Sequence, residues 1–192
     1  MKKIPSTIEA FYIKDAINQD ALKELLHVMD GNNFGWYMFS DVNFNETFDD
    51  ITKYGFKHNF IYENEDTSSY APLVLPIAVA AAAAAKSELN NIFSCYAVLT
   101  MNCGKEHNGF PHIDAQQHPE TSETKRYSAV YYLEDCDGDT VFYDKDGKEI
   151  IYRVTPKRNT MIVFRTDTYH SGMLPMIFPT RRIINLNIGV NW

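Results

Sequence analysis

Tyr127-Ser128-Ala129-Val130-Tyr131-Tyr132-Leu133, followed by Asp135-Cys136-Asp137-Gly138 and then Thr140-Val141-Phe142-Tyr143, decides the fold class. The first and last stretches are apolar and aromatic, which suits a pleated, half-buried surface better than a helix. The Asp- and Gly-rich stretch between them is a turn signal. Working outward, the same alternation of strand and turn continues. Residues 93–101, 149–154, 160–164 and 183–190 read as further strands, and Asp144-Lys145-Asp146-Gly147 and Pro156-Lys157-Arg158-Asn159 as turns. Short strands at this spacing predict a mainly β (α+β) chain built on a sandwich or jelly roll.

The N-terminal half reads differently. Within residues 15–30, Ile17, Ala21, Leu22, Leu25, Leu26 and Met29 recur at helical spacing, and Gly31 supplies a stop. His27 lies in this helix as an ordinary surface or core histidine. Residues 32–50 show no sustained period; Trp36, Tyr37 and Phe39 are expected to fill core, with a pocket wall as the alternative use. Residues 54–62 alternate well enough to predict a strand, in which His58 has no evident partner. The unbroken Ala80-Ala81-Ala82-Ala83-Ala84-Ala85 predicts a helix from Pro76 to about Asn90-Asn91, because alanine is the best helix former and proline is tolerated in a first turn. Pro72 and Pro76 break the apolar run, which is too short for a membrane span. The expectation is a single domain over 1–192, with a helical N-terminal part over 1–91 packed on a roll over 92–192 that carries the functional site.

Composition narrows the class. The chain has 192 residues, of which 45% are hydrophobic and 22% charged, as in globular proteins. A net charge of -7 disfavours nucleic acid as a partner, since duplex-binding surfaces declare themselves by basic excess. Cys95, Cys103 and Cys136 are odd in number and match no C-x-x-C spacing, which predicts reduced thiols and a cytoplasmic setting. No apolar core follows Met1-Lys2-Lys3-Ile4-Pro5, so no secretory signal is expected. The sequence has no heptad repeat and no other signature of an oligomeric state.

The chemistry centres on Phe110-Pro111-His112-Ile113-Asp114 and the distant His170. In a strand, residues two apart share a face, so His112 and Asp114 project together while Ile113 turns away. Two imidazoles and one carboxylate leave three positions of an octahedron open, which is the ligand set of non-haem Fe(II) oxygenases. An H-x-D pair alone decides little, because 6 His and 25 acids in 192 residues give about 0.8 chance matches. His118-Pro119-Glu120 is a competitor, but it sits in a polar stretch, and Pro119 cannot donate to a ladder. Asp135-Cys136-Asp137-Gly138-Asp139 mimics the start of a calcium loop, yet Thr140 stands where that loop needs glycine.

Arg181-Arg182 opens the last strand, so one guanidinium must share the strand's inward face. A cation placed there is costly unless it meets an anion, and the fork of arginine matches a carboxylate. Arg182 shares its face with Ile184, Leu186, Ile188 and Val190, which suits packing on the alanine-rich helix. Arg181 shares its face with Ile183, Asn185 and Asn187, which suits a polar pocket and makes it the preferred anion ligand over Arg182.

Taken in order, His112-x-Asp114, the 127–133 strand, Gly138-Asp139-Thr140-Val141-Phe142, His170 and Arg181 resemble the Fe(II)- and 2-oxoglutarate-dependent dioxygenases, most of all their prolyl-hydroxylase-like branch. The resemblance implies a double-stranded β-helix (jelly-roll, cupin-like) core. It implies Fe(II) held by His112, Asp114 and His170 as the catalytic centre, with 2-oxoglutarate and O₂ as co-substrates. It assigns the far carboxylate of 2-oxoglutarate to the arginine after the second histidine, Arg181 with Arg182 as the alternative, and gives Tyr132 a share in it. The implied reaction hydroxylates an unactivated C–H while 2-oxoglutarate is decarboxylated to succinate and CO₂. The implied substrate is a prolyl or other peptide side chain, or a small molecule. Arg126, Tyr143, Arg165 and Asn187 are further polar candidates for a substrate face. The chain departs from the family pattern at Asp139, where many relatives have a second glycine, and at Thr100-Met101-Asn102, where a tyrosine is usual. The alternative reading is a cupin-like module that binds a metal or small molecule and oxidises nothing.

Overall fold

The computed structural model describes residues 4–40, 54–106, 109–115 and 124–191, so the competitor His118-Pro119-Glu120 and much of the 32–50 stretch lie outside the described residues. In chain order the elements are β1 (Ala10–Lys14), α1 (Gln19–Met29), β2 (Tyr37–Ser40), β3 (Tyr54–Tyr62), β4 (Glu65–Asp66), α2 (Leu75–Ala84), β5 (Glu88–Met101), β6 (Thr124–Tyr132), β7 (Thr140–Tyr143), β8 (Ile150–Val154), β9 (Thr160–Arg165), β10 (His170–Gly172) and β11 (Thr180–Asn191). They form two antiparallel sheets. The large one runs β1-β9-β6-β11-β5-β3-β2, with β4 beside β3, and the small one runs β10-β7-β8. This is the double-stranded β-helix that the resemblance implied, and a jelly roll as the strand pattern predicted.

The two faces of β11 explain the layering. Ile184, Leu186, Ile188 and Val190 join the core between the large sheet and the helices, with Leu22, Leu25 and Met29 of α1 and Ile77, Ala78, Ala81 and Ala82 of α2. Methyl side chains let α2 lie close to the strands, as its alanine run predicts. Ile183, on the opposite face, joins Val130, Tyr132, Phe142, Tyr152, Ile162 and Phe164 in the core between the two sheets. Asn18 caps α1 by accepting a 2.8 Å hydrogen bond from the Ala21 N–H, which satisfies a donor the first turn would otherwise leave free.

Three expectations need correction. The alanine-rich helix stops at Ala84 and does not reach Asn90-Asn91, both of which lie in β5. Its end is a Schellman motif: Lys86 takes φ 57°, the Ser87 N–H donates to the Ala82 carbonyl, and the Lys86 N–H donates to that of Ala83. The part over 1–91 is not simply helical, because β1 to β4 extend the large sheet on both edges. Residues 37–40, which show no sequence period, form β2 because β3 offers them an edge to pair with. Among the described residues no helix is long and apolar enough to cross a membrane.

Candidate active site

His112, Asp114 and His170 meet because the 109–114 segment pairs with the chain where it passes from β9 of the large sheet to β10 of the small one. His112 and His170 form an isolated antiparallel bridge, exchanging N–H to carbonyl hydrogen bonds of 3.0 and 2.9 Å. Gly109 and Asp114 continue the ladder by donating to the carbonyls of Gly172 and Thr166. The 109–114 segment therefore runs as an extended edge beside β10, and its two-residue period sends both the His112 and Asp114 side chains toward His170.

One Asp114 oxygen lies 3.7 Å from His112 Nε2 and 3.6 Å from His170 Nε2. The three residues offer ligand atoms that all lie within 4.8 Å of one another. Ligand atoms at neighbouring corners of an octahedron, each about 2.1 Å from the ion, are about 3.0 Å apart, so both carboxylate–imidazole separations reach that set by closing less than about 1 Å. Backbone contacts fix the tautomers. His112 Nδ1 lies 3.0 Å from the Phe110 carbonyl, and His170 Nδ1 lies 3.0 Å from that of Thr168. A carbonyl only accepts, so each Nδ1 carries the proton and each Nε2 presents a lone pair. Burial holds the His170 pKa below the ordinary histidine value, opposed by the nearby Asp114 charge and assisted by His112. The neutral imidazole is the form that binds a metal. Phe164 packs edge-on against His170, with ring centroids 4.6 Å apart, and sets its orientation.

Arg181 lies in the same cavity, whose volume is about 330 Å³. The cavity walls include His112, Asp114, His170 and Arg181, together with Ile183 and Asn185 from the same face of β11. The Arg181 guanidinium is buried, and Nε donates to the Gly138 carbonyl at 2.7 Å while one terminal nitrogen donates to Thr140 Oγ1 at 3.1 Å. Among the described residues no carboxylate pairs with it. Burial lowers its pKa from the usual guanidinium value, which reflects the cost of keeping a charge there. Two glycines make room for it. A Cβ on Gly138 would lie 2.7 Å from Arg181 Cδ, and one on Gly172 would lie 3.3 Å from its terminal nitrogen. Thr100 is the cross-strand partner of Arg181 and a cavity wall, and its buried hydroxyl has no hydrogen-bond partner among the described residues. A fixed cation, an unpartnered hydroxyl and a metal-ligand triangle open on one side thus share one cavity.

The sequence profile of the 2OG-Fe(II) oxygenase superfamily matches residues 96–189, the segment that holds all of these groups. Residues 96–189 belong to that superfamily. Its cofactors are accordingly Fe(II), with 2-oxoglutarate and O₂ as co-substrates, and the His–Asp–His donor set and the buried cation described above fit them. A comparison with curated protein sequences returns no match. Among solved structures, the fold is similar to a 2OG-Fe(II) oxygenase family oxidoreductase from Burkholderia pseudomallei, with a TM-score of 0.70 at 12% identity, covering 94% of this chain and 84% of that one. It is similar to a prolyl hydroxylase from Trichoplax adhaerens in complex with a hypoxia inducible factor peptide fragment, with a TM-score of 0.60 at 14% identity, covering 96% and 84%. It is also similar to a prolyl-4-hydroxylase from Pseudomonas putida, with a TM-score of 0.58 at 14% identity, covering 97% and 95%.

The other sequence candidates fall in varied places. Arg182 points away from the oxygenase cavity, where Asp30 and Glu134 pair with it, so it is not available as a carboxylate anchor there. Tyr132 does not line the cavity. Its buried hydroxyl donates to Thr140 Oγ1 at 2.8 Å, so it reaches Arg181 only through Thr140, and burial raises its pKa. Arg126 stacks on Phe93, Tyr143 bonds Ser171, Arg165 pairs with Asp167, and Asn187 bridges Ser128 and Ser94. None of the four is a cavity wall. His58 is a core histidine, stacked on Phe34 and bonded to the Gly35 carbonyl and the Ser68 hydroxyl. Of the early aromatics, Phe39 lines the cavity, Trp36 packs on Phe34, and Tyr37 is exposed. The would-be calcium loop has another use, since the Asp137 carboxylate accepts from the N–H groups of Met176, Ile177 and Phe178.

Sequence reasoning missed Thr140, which joins Arg181 to Tyr132. Replacing it by valine leaves a buried guanidinium N–H and a buried phenol without their partner, so Thr140→Val should destabilise the fold by about 1–3 kcal/mol. Urea unfolding of the metal-free protein reads this as a lower midpoint at unchanged slope.

Proposed function

We propose that the chain is a hydroxylase whose metal is held by His112, Asp114 and His170 and whose 2-oxoglutarate is anchored by Arg181. The observation that carries this reading is the placement of the ligand triangle and an unneutralised buried guanidinium in one cavity. A binding module that oxidises nothing has no use for such a cation. His112 and His170 hold their proton on Nδ1 and keep Nε2 free, and Asp114 contributes the one negative charge. Arg181, fixed by the Gly138 carbonyl and Thr140, meets the far carboxylate of 2-oxoglutarate through its remaining N–H donors. Thr100 offers a further hydroxyl to the same carboxylate. Val98, Val130 and Ile183 give the cavity apolar walls that limit water around the reacting groups. Bound Fe(II) supplies the redox chemistry, in which one O₂ is divided between a substrate C–H, which becomes C–OH, and 2-oxoglutarate, which becomes succinate and CO₂.

A prolyl or other peptide side chain is the substrate class supported by two structural neighbours, the prolyl hydroxylase in complex with a peptide fragment and the prolyl-4-hydroxylase. The cavity suits a pyrrolidine or another apolar side chain, because Phe39, Tyr54 and Phe110 are among its walls and the last two are exposed. The test is to incubate the protein with Fe(II), 2-oxoglutarate and O₂ and a pool of proline-containing peptides, following succinate by NMR and product mass. Peptide-dependent succinate with a gain of one oxygen on the peptide supports the reading. Succinate without peptide oxidation moves the substrate to another class, and no succinate under any condition contradicts the hydroxylase.

Gly138 supplies a separate check. The Gly138→Ala methyl would collide with Arg181 Cδ and with the Met173 carbonyl, each 2.7 Å from its position. The guanidinium must shift, and 2-oxoglutarate affinity should fall about 10- to 100-fold while Fe(II) affinity changes little. Calorimetric titration of each ligand separates the two effects.

A further inference from the structure

We propose that Lys57 binds a carboxylate on the primary substrate and so selects acidic substrates for this oxygenase. The proposal rests on the hydroxylase reading of the cavity. Lys57 is aligned with Val98 of β5, which is aligned with Ile183 of β11, so the three share a sheet face. That face is the cavity face, and Lys57 is one of its walls together with Arg181 and the three candidate ligands. The ammonium is half-buried and sits 3.8 Å from the centroid of the Tyr96 ring. This contact steadies the cation against the wall without neutralising it.

No carboxylate pairs with Lys57 among the described residues. Of the described cavity walls, Asp114 is the sole carboxylate, and it is committed to the metal triangle. Burial lowers the Lys57 pKa, the expected sign for an ammonium deprived of water and given no counter-ion. The cavity therefore has two cations and one acid. Arg181 accounts for one carboxylate of 2-oxoglutarate, and the metal site accounts for the keto-acid end. Lys57 lies two strands away from Arg181 and two residues along, a backbone separation of about 12 Å from ordinary strand spacing. Gly55, two residues before Lys57 on the same face of β3, is aligned with Phe39, so Lys57 stands beside one of the three aromatic walls Phe39, Tyr54 and Phe110. A carboxylate on the primary substrate would give the ammonium the partner the protein withholds, and the aromatic walls would take the apolar part.

The carboxylate could be the terminus of a small acid or an acidic side chain beside the target residue of a peptide. Two matched probe pairs separate these sources: N-acetylproline against N-acetylprolinamide, and a blocked proline pentapeptide carrying Glu against the same peptide carrying Gln. Calorimetry on anaerobic protein loaded with Fe(II) and 2-oxoglutarate reads each affinity. The expected result is about ten-fold tighter binding of the acid in at least one pair, as a partly desolvated ion pair provides. The preference should fall to about one in Lys57→Met, return in Lys57→Arg, and weaken with added salt. Equal affinity within both pairs, absence of binding by all four probes, or a preference that survives Lys57→Met overturns the proposal. Failure of the protein to load with Fe(II) or 2-oxoglutarate overturns the hydroxylase reading instead. The acid preference is also measured on the metal-free protein, since Lys57 is not in the ligand triangle. A thermal midpoint for Lys57→Met within a few degrees of wild type shows that the fold persists.

Discussion

Asp114→Ala should reduce Fe(II) affinity at least about 1,000-fold, or about 4 kcal/mol. Asp114 contributes the only charge in the triangle, and its oxygen stands between the two histidine Nε2 atoms at 3.7 and 3.6 Å. Loss of a residue that merely supports a metal ligand typically costs 10- to 100-fold, so loss of the charged ligand itself must cost more. The fold should survive, because the Asp114 backbone N–H keeps its bond to the Thr166 carbonyl whatever the side chain. The check is Fe(II) or Mn(II) titration followed by calorimetry, with the thermal midpoint of the metal-free variant as the control. Added metal should raise the wild-type midpoint, since a ligand bound only by the native state stabilises it, and should leave that of Asp114→Ala unmoved. Metal affinity within ten-fold of wild type would remove Asp114 from the site.

Arg181→Met should reduce 2-oxoglutarate affinity at least about 100-fold, or about 2.7 kcal/mol, while Fe(II) affinity stays near the wild-type value. The guanidinium is a buried cation fixed among the cavity walls, and bonds from a charged donor to a carboxylate are worth about 1.5–3 kcal/mol each. Methionine keeps much of the apolar stem and the volume, so the loss reads the charge rather than a collapsed wall. Arg182→Met is the matched control. Its partners are Asp30 and Glu134, outside the cavity, so it should lower stability modestly and leave 2-oxoglutarate binding unchanged. Competition between labelled 2-oxoglutarate and unlabelled ligand on metal-loaded protein measures both variants. Equal effects of the two substitutions would contradict the assignment of the anchor to Arg181.

Most strands of the second half are legible in the sequence as apolar or aromatic runs bounded by turn residues, whereas the three-residue β10, His170-Ser171-Gly172, has no such run and was not predicted. The 140–143 and 54–62 strands have the bounds the residue pattern predicts. The alternation of β11 also sorted Arg181 from Arg182, because one face of that strand is wholly apolar and can only meet the helices. The end of α2 was not legible. Its left-handed residue is Lys86 rather than the glycine that usually marks such a stop. β1 was hidden for another reason: its partner β9 is remote in sequence, and pairing rather than local pattern makes Ala10-Phe11-Tyr12-Ile13-Lys14 a strand. The resemblance gave Tyr132 a share in the 2-oxoglutarate carboxylate, but sequence cannot show that Thr140 takes its hydroxyl. Lys57 was invisible as a site residue. A lysine in a strand reads as solvent-facing, and only its register with Val98 and Ile183 brings it to the cavity.

The central claim is that His112, Asp114, His170 and Arg181 jointly hold Fe(II) and 2-oxoglutarate. Anaerobic visible absorption of the purified protein tests it most directly. A weak charge-transfer band that needs both Fe(II) and 2-oxoglutarate, and that is lost in His112→Ala and in Arg181→Met, is the predicted result. Metal binding without any such band, or a band that survives both substitutions, would contradict the account.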